Sequence, residues 1–293
     1  MFIATLIAKQ RLSSGDISTA EDALREADLE SDGRSWLDED KACDLLIPIG
    51  PQKARRTLEG LIPECDVIVQ GESGRRKKLL VADMDSTMIT VECIDELADY
   101  AGIKEQVASV TDRAMRGELA FEGALRERVA LLRDMDEAML DRCHAERVKI
   151  MPGARALVRT MRREGAYTVL VSGGFTIFAD RVAAEIGFDR AIANTLEIGE
   201  GRLLGTVADP IVGADTKRRA LIESAAELGL GLDQSLAVGD GANDIPMIEA
   251  AGLGVAYRAK PKTAAAAHAR IEHNDLTALL YAQGYSRRDW EAD

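Results

Sequence analysis

Leu79-Leu-Val-Ala-Asp-Met-Asp-Ser-Thr87 decides the fold. Leu79 to Ala82 has the length and continuous apolarity of a short strand buried on both faces, and it runs straight into two carboxylates, Asp83 and Asp85. Residues two apart at a strand end can turn to one side together while Met84 turns to the other. Downstream, Tyr167–Val171, Leu236–Val238 and Gly254–Tyr257 are further short apolar runs, each ending near Gly or Asp. Helical patterns separate them, and strands alternating with helices predict an α/β fold with a parallel sheet. Ligands of open parallel sheets bind at the carboxyl ends of the strands.

The residues with chemistry to offer cluster at those ends. Ser172-Gly-Gly174 follows Tyr167–Val171 and supplies a hydroxyl plus two glycines that let backbone approach phosphate oxygens. Lys217 falls in the first turn of a helix opened by Asp215 and closed by Gly229. Gly239-Asp-Gly-Ala-Asn-Asp244 follows Leu236–Val238 and leads a helix with Pro246 early and Gly252 after it. Each has a plain reading alone. Asp-x-Asp is common on surfaces, Ser-Gly-Gly makes turns, a lone Lys is usually solvated, and Asp240 could cap a helix or its loop bind calcium. Their order at successive strand ends argues against coincidence.

Between the first two strands, residues 92–149 are helical in pattern almost throughout. Ile94, Leu97, Ala98 and Ala101 recur at helical spacing until Gly102, and further helices are predicted over 104–116, 121–132 and 136–147. Such an insert forms a cap above the carboxyl edge of the sheet. Ile192–Ile198 and Arg202–Val207, joined by Gly199-Glu-Gly201, predict a β-hairpin.

Upstream, residues 1–71 read β-α-β-β-α-β. Strands are predicted at Phe2–Ile7, Ser35–Leu37, Ala42–Ile47 and Asp66–Val69. The helices are Thr19–Ala27, opened by Ser18, and Pro51 to Glu59, closed by Gly60. That order is a small ferredoxin-like α+β domain. Gly71-Glu-Ser-Gly74 is then a joint, and Arg75-Arg-Lys-Lys78 a solvated basic stretch. Residues 72–78 are therefore the expected linker, leaving 79–293 to the parallel-sheet domain.

Composition narrows the function classes. The 293 residues carry 37 Lys and Arg against 50 Asp and Glu, a formal charge of −13, which argues against generic nucleic-acid binding. Apolar residues at 46% and charged residues at 30% describe a folded, soluble chain. No apolar run approaches the roughly 18 residues of a membrane span. Phe2–Ala8 has no basic stretch before it and is read as a buried strand, not a signal peptide. Cys43, Cys65, Cys93 and Cys143 are scattered without metal spacing, as in a reducing compartment, so a cytoplasmic location is expected. His144, His268 and His273 show no ligand spacing and receive no role.

In this order, Asp83-Met-Asp-Ser-Thr87, Ser172, Lys217 and Gly239-Asp-Gly-Ala-Asn-Asp244 resemble the four motifs of the haloacid dehalogenase superfamily. Val91-Glu-Cys-Ile-Asp-Glu96, Met115-Arg-Gly-Glu-Leu-Ala-Phe121, Leu125-Arg-Glu-Arg128, Val171-Ser-Gly-Gly-Phe175 and Ala214-Asp-Thr-Lys217 resemble its phosphoserine phosphatases, with the likeness extending over residues 78–283. Residues 1–71 resemble only loosely the ACT-like regulatory domain preceding some members.

The resemblance implies a Rossmann-like sheet with a helical cap. It implies hydrolysis of O-phospho-L-serine, the last step of serine biosynthesis, with a small-molecule substrate and neither nucleic acid nor membrane as partner. Asp83 would attack phosphorus and become an aspartyl-phosphate, splitting one hard displacement into two easier ones. Asp85 would protonate the departing serine oxygen and then deprotonate water. Magnesium would be held by Asp83, the backbone carbonyl of Asp85 and Asp240, hard oxygen donors that suit the ion. Ser172, the Gly173 N–H and Lys217 would hold phosphoryl oxygens, and Asn243 would make a polar contact on the substrate side. Asp244 would work one layer out, positioning Lys217 or a metal-bound water.

For the serine moiety, Glu92 matches the family's partner for the ammonium and Arg128 its partner for the carboxylate, where a guanidinium can donate two parallel bonds. Phe121 lies two helical turns before Arg128 and would face the same pocket. Their plain readings are a solvated helix face for Glu92 and Arg128 and cap core for Phe121. Met115 is expected to pack.

Rival readings keep part of this site. One is a phosphotransferase to another alcohol such as homoserine, or a phosphatase for another small ester. Another is an amino-acid-sensing protein with a vestigial site, against which the intact set Asp83, Asp85, Ser172, Lys217 and Asp240 counts. Dehalogenases lack the carboxylate present here as Asp85, and a P-type ATPase needs membrane spans. A homodimer is left open as the assembly, without support from the loose N-terminal match.

Overall fold

The computed structural model describes residues 1–293 apart from the side chain of Met115, so the expectation that Met115 packs lies outside what is described. At the N-terminus, β1 (Phe2–Ala8), α1 (Ser14–Glu26), β2 (Gly33–Asp38), β3 (Ala42–Ile47), α2 (Pro51–Leu58) and β4 (Cys65–Gly71) build an antiparallel sheet of order β2-β3-β1-β4. Alternation divides the strands between two faces. Ala4, Leu6, Cys43, Leu45 and Val67 pack with Ile17, Leu24 and Leu58 of the two helices. Ile7, Ala42 and Ile68 instead join the main core of the chain, so this sheet is buried on both sides.

Helix α1 starts one turn earlier than Ser18 suggested. Ser13 is the cap: its Oγ accepts the Asp16 N–H at 3.2 Å, and Asp16 Oδ2 accepts the Ser13 N–H at 2.8 Å. Ser18 lies inside the helix and donates back to the Ser14 carbonyl.

The rest of the chain follows as β5 (Leu79–Ala82), the cap helices α3 (Cys93–Tyr100), α4 (Lys104–Met115), α5 (Phe121–Leu131) and α6 (Ala138–Arg147), then α7 (Ala154–Arg163), β6 (Tyr167–Phe175), α8 (Thr176–Ile186), β7 (Arg190–Asn194), β8 (Leu196–Gly199) and β9 (Arg202–Val207). It ends with α9 (Ala214–Glu227), β10 (Ser235–Gly239), α10 (Ile245–Ala250), β11 (Leu253–Tyr257), α11 (Pro261–Ala266), β12 (Ala269–Ile271) and α12 (Ala278–Ala282). The large sheet has order β12-β11-β10-β5-β6-β7 with every pair parallel. Winding runs from β5 outward through β6 and β7, then resumes on the other side at β10. The crevice between the ends of β5 and β10 is therefore the topological switch point, where ligands of such sheets bind.

Two expectations need correction. The first arm of the predicted hairpin is split, because Arg190–Asn194 pairs in parallel with β6 and only Leu196–Gly199 pairs with β9. The hairpin then lies along the cap, with Asp134 N–H donating to the Leu203 carbonyl and Leu203 N–H to that of Met135, at 2.9 and 3.0 Å. The basic stretch Arg75–Lys78 is solvated only at Arg76 and Lys78. Arg75 donates to both oxygens of Asp44, at 2.7 and 3.0 Å, and to the carbonyls of Tyr281 and Ala282. Lys77 is buried with Nζ 2.8 Å from the Asp233 carbonyl. The Tyr281 carbonyl also accepts the Gly284 N–H at 2.8 Å, whereas the Ala282 carbonyl at the end of α12 is served by side chains, Arg75 Nε and Gln70 Nε2.

Candidate active site

Asp83 leaves β5 with its N–H bonded to the Val238 carbonyl of β10 at 3.0 Å, which holds it over the switch point. Met84 N–H donates to its Oδ1 at 2.8 Å. Lys217, on the first turn of α9, is completely buried and places Nζ 2.5 Å from Asp83 Oδ1 and 2.7 Å from Asp244 Oδ1. The other oxygen of Asp244 accepts the Gly241 N–H at 2.9 Å. Only glycine fits at 239, since a Cβ there would lie 2.4 Å from Asp244 Cγ.

Carboxylate oxygens of Asp83, Asp240 and Asp244 lie within 4.8 Å of one another. Thr87 Oγ1 donates to Asp240 Oδ1 at 3.2 Å. Burial, then the charge of Asp244, push the Asp83 carboxyl well above its ordinary range, with Lys217 working the other way. Asp240 is pushed up to about 6 by burial, by Asp244 and by Glu92. Burial disfavours the charge on Lys217, but Asp244 and Asp83 outweigh it and hold the ammonium above its ordinary value. Three crowded carboxylates against one ammonium leave an excess of negative charge. The all-oxygen donor set fits a hard divalent cation, which would relieve it.

Asp85, half-buried, accepts the Cys93 N–H on Oδ1 at 3.3 Å. Burial and then the charge of Glu92 push it up to about 7. Across the crevice, a Cβ on Gly174 would lie 2.9 Å from Asp85 Oδ2 and 3.0 Å from Ser172 Oγ, so glycine lets the end of β6 close on Asp85. Ser172, buried, accepts the Gly174 N–H on Oγ at 2.8 Å.

The cap covers this loop. The Phe121 ring comes 3.0 Å from the place of a Cβ on Gly173 and 3.3 Å from that of one on Gly213. Glu92, at the start of α3, is exposed and accepts from Ser86 Oγ at 2.7 Å. Arg128 is half-buried on α5; burial lowers its pKa, while Asp95, Glu92 and Asp85 support its charge. Its one protein bond among the described residues is from Nε to the Ala124 carbonyl, at 3.3 Å. Asn243 lies in the short 3₁₀ turn Ala242–Asp244 beside Gly241 and has no side-chain hydrogen bond among the described residues.

Asp83, Asp85, Ser172, Gly173, Lys217, Asp240 and Asp244 thus share one crevice, roofed by Phe121 and flanked by Glu92 and Arg128. None of the three histidines bonds to any of them among the described residues. Sequence reasoning missed Ser86, Thr87 and Asn194. Thr87 had a signal only as the last residue of the Asp83–Thr87 motif, since the chain turns over 84–88 and strand alternation does not extend to it. Ser86 and Asn194 had none, for their contacts are set by the tertiary fold.

A capped parallel sheet with an aspartate after its first strand, and a lysine buried against it, defines the class. The sequence profile of the haloacid dehalogenase-like hydrolases matches residues 80–249. A phosphoserine phosphatase of Streptomyces coelicolor is 47% identical over 226 residues, covering 77% of this chain and 55% of that protein. One of Polaromonas sp. is 44% identical over 208 residues, covering 69% of this chain and 88% of that protein. The unliganded structure of a probable phosphoserine phosphatase from Vibrio cholerae superposes with a TM-score of 0.79 at 34% identity, covering 98% of this chain and 88% of that one. The chain belongs to the haloacid dehalogenase-like hydrolases and, within them, to the phosphoserine phosphatase family. No described helix is long and apolar enough to cross a membrane.

Proposed function

We propose that the chain hydrolyses O-phospho-L-serine to L-serine and phosphate through an aspartyl-phosphate on Asp83, as the last step of serine biosynthesis. The observation that carries this reading is the pairing of Asp83, bonded to buried Lys217, with Asp85, which closes on the Ser172–Gly174 loop. The relatives named above support the choice of substrate.

Asp83 attacks phosphorus with a carboxylate oxygen, and the bond from phosphorus to the serine oxygen breaks. Among the described residues, Lys217 and Met84 both bond to Oδ1, so Oδ2 has no protein donor. Asp85, pushed up to about 7, carries the proton that the serine oxygen takes as it leaves. In the second half-reaction Asp85 removes a proton from water, which attacks phosphorus and frees Asp83 and phosphate. Lys217, the Ser172 hydroxyl and the Gly173 N–H hold phosphoryl oxygens as charge develops on them. Asp83, the Asp85 carbonyl and Asp240 would hold magnesium, with Asp244 at the same cluster. When bound, the ion offsets the repulsion between an anionic nucleophile and an anionic ester.

In the cap, Glu92 is assigned to the substrate ammonium, Arg128 to its carboxylate and Phe121 to the pocket wall. Asn243 is the substrate-side polar group of the fourth motif. The four cysteines are free and buried, which supports a reducing cytoplasm as the site of action.

Phosphate release with magnesium, compared on L-phosphoserine, phosphothreonine and p-nitrophenyl phosphate at matched concentrations, tests the reading. Preference for L-phosphoserine, abolished by EDTA, is the expected result. Equal rates on all three would discard the substrate and keep the class. Asp83→Asn is expected to form no phosphoenzyme; full turnover by that variant would overturn the covalent route.

A further inference from the structure

We infer that Asn194 is a positioning residue that sets the Ser172 hydroxyl for the phosphoryl group. The inference rests on the reading of Ser172 as a phosphate-binding residue. Asn194 is the last residue of β7, is 1% exposed, and lies in none of the four motifs. Its Nδ2 donates to the Gly173 carbonyl at 2.8 Å and to the Val212 carbonyl at 3.4 Å, and its Oδ1 accepts the Val212 N–H at 2.7 Å.

The Gly173 contact fixes a peptide plane at both ends. The carbonyl of the Gly173–Gly174 peptide is held by Asn194, and its N–H donates to Ser172 Oγ at 2.8 Å. Since Ser172 Oγ already accepts there, its own hydrogen is left to donate outward, as a phosphoryl oxygen requires. Two glycines give this loop little stiffness of its own, so an external clamp is needed.

The Val212 contacts reach a second motif. Gly213 caps α9 and its carbonyl accepts the Lys217 N–H at 3.0 Å. One buried amide therefore registers the hydroxyl loop of β6 against the helix that carries Lys217. It also closes the neck of the 195–211 excursion, whose hairpin rides on the cap.

Asn194→Asp keeps the acceptor for Val212 and removes the donor, and Asn194→Ser shortens the side chain without adding charge. Each is assayed with magnesium, below its own melting midpoint, on phosphoserine and on p-nitrophenyl phosphate. Asn194 acts on the phosphoryl side, so kcat/KM is expected to fall about 10- to 100-fold on both substrates alike. In a Ser172→Ala background the same substitutions are expected to cost about threefold or less, because the group being positioned is gone. An equal fall in both backgrounds, a fall on phosphoserine alone, unchanged kinetics, or failure of both variants to fold would assign Asn194 to structure and overturn the inference. Wild-type protein active on p-nitrophenyl phosphate but not phosphoserine would remove the substrate reading and leave this comparison intact.

Discussion

Lys217 is one ammonium among three crowded carboxylates, Asp83, Asp240 and Asp244, and the imbalance has a thermodynamic consequence. A divalent cation binding the folded crevice and not the unfolded chain stabilises the protein by mass action, by about 2.7 kcal/mol at a hundredfold excess over its Kd. Magnesium is therefore expected to raise the melting midpoint relative to EDTA, and Asp240→Asn to shrink that rise. Thermal melts that coincide with and without magnesium would rule out the carboxylate cluster as the metal site. Arg128 tests the other end of the substrate. Its guanidinium is drawn toward Asp95, Glu92 and Asp85 but bonds only to the Ala124 carbonyl among the described residues, which leaves donors for a carboxylate. Arg128→Ala is expected to lower kcat/KM for phosphoserine by about 10²-fold or more, as for loss of a charge-assisted bidentate contact, and to spare p-nitrophenyl phosphate. Equal losses on the two would place Arg128 at the phosphate or in the cap's structure.

Elements differ in how much of them local sequence dictates, and α1 shows the limit. Ser13, Ser14 and Ser18 all offer a capping hydroxyl, and only the fold selects Ser13, whose reciprocal bonds with Asp16 close the capping box. Ser13→Ala is expected to cost about 1 kcal/mol in urea unfolding. The Ser13 bonds hold the Asp16 carboxyl below its ordinary value, so its contribution is present above the unfolded pKa and is lost as pH falls through the folded one. The difference between wild type and Ser13→Ala should accordingly narrow in acid; a constant difference down to pH 2 would deny Asp16 its part. The strands of the large sheet were legible because burial on both faces demands uninterrupted apolar runs, and Leu79–Ala82 is one. The hairpin boundary was not, because Ile192 to Ile198 contains no Gly or Pro to break it and reads as one strand while its two halves pair with different partners. Asp83, Lys217 and Asp244 were legible through spacing within motifs, whereas Asn194 acts entirely across elements and has no local signature.

For the whole molecule, the Arg75–Asp44 pair joins the N-terminal sheet to the carbonyl end of α12, so a charge that read as part of a solvated joint belongs to the fastening. Asp44 is 6% exposed, shares its carboxylate with Thr5 at 2.7 Å, and has Arg75 as its only cation within 4 Å among the described residues. Removing one partner of a buried pair strands the other charge, which costs about 3–5 kcal/mol, whereas replacing both by apolar side chains is close to neutral. Arg75→Met is therefore expected to destabilise by about that amount, and Asp44→Leu combined with Arg75→Met to recover most of it. The crevice at the ends of β5 and β10 contains neither residue, so turnover of folded protein at 25 °C should stay within about twofold of wild type. Urea unfolding followed in parallel with phosphate release separates the two readouts. If Arg75→Met unfolded at the wild-type midpoint, the bidentate pair would be a surface contact in effect. If it lost activity while still folded, the N-terminal sheet would have to reach the crevice through α12 and β12, and the two sheets would be energetically coupled instead of merely fastened.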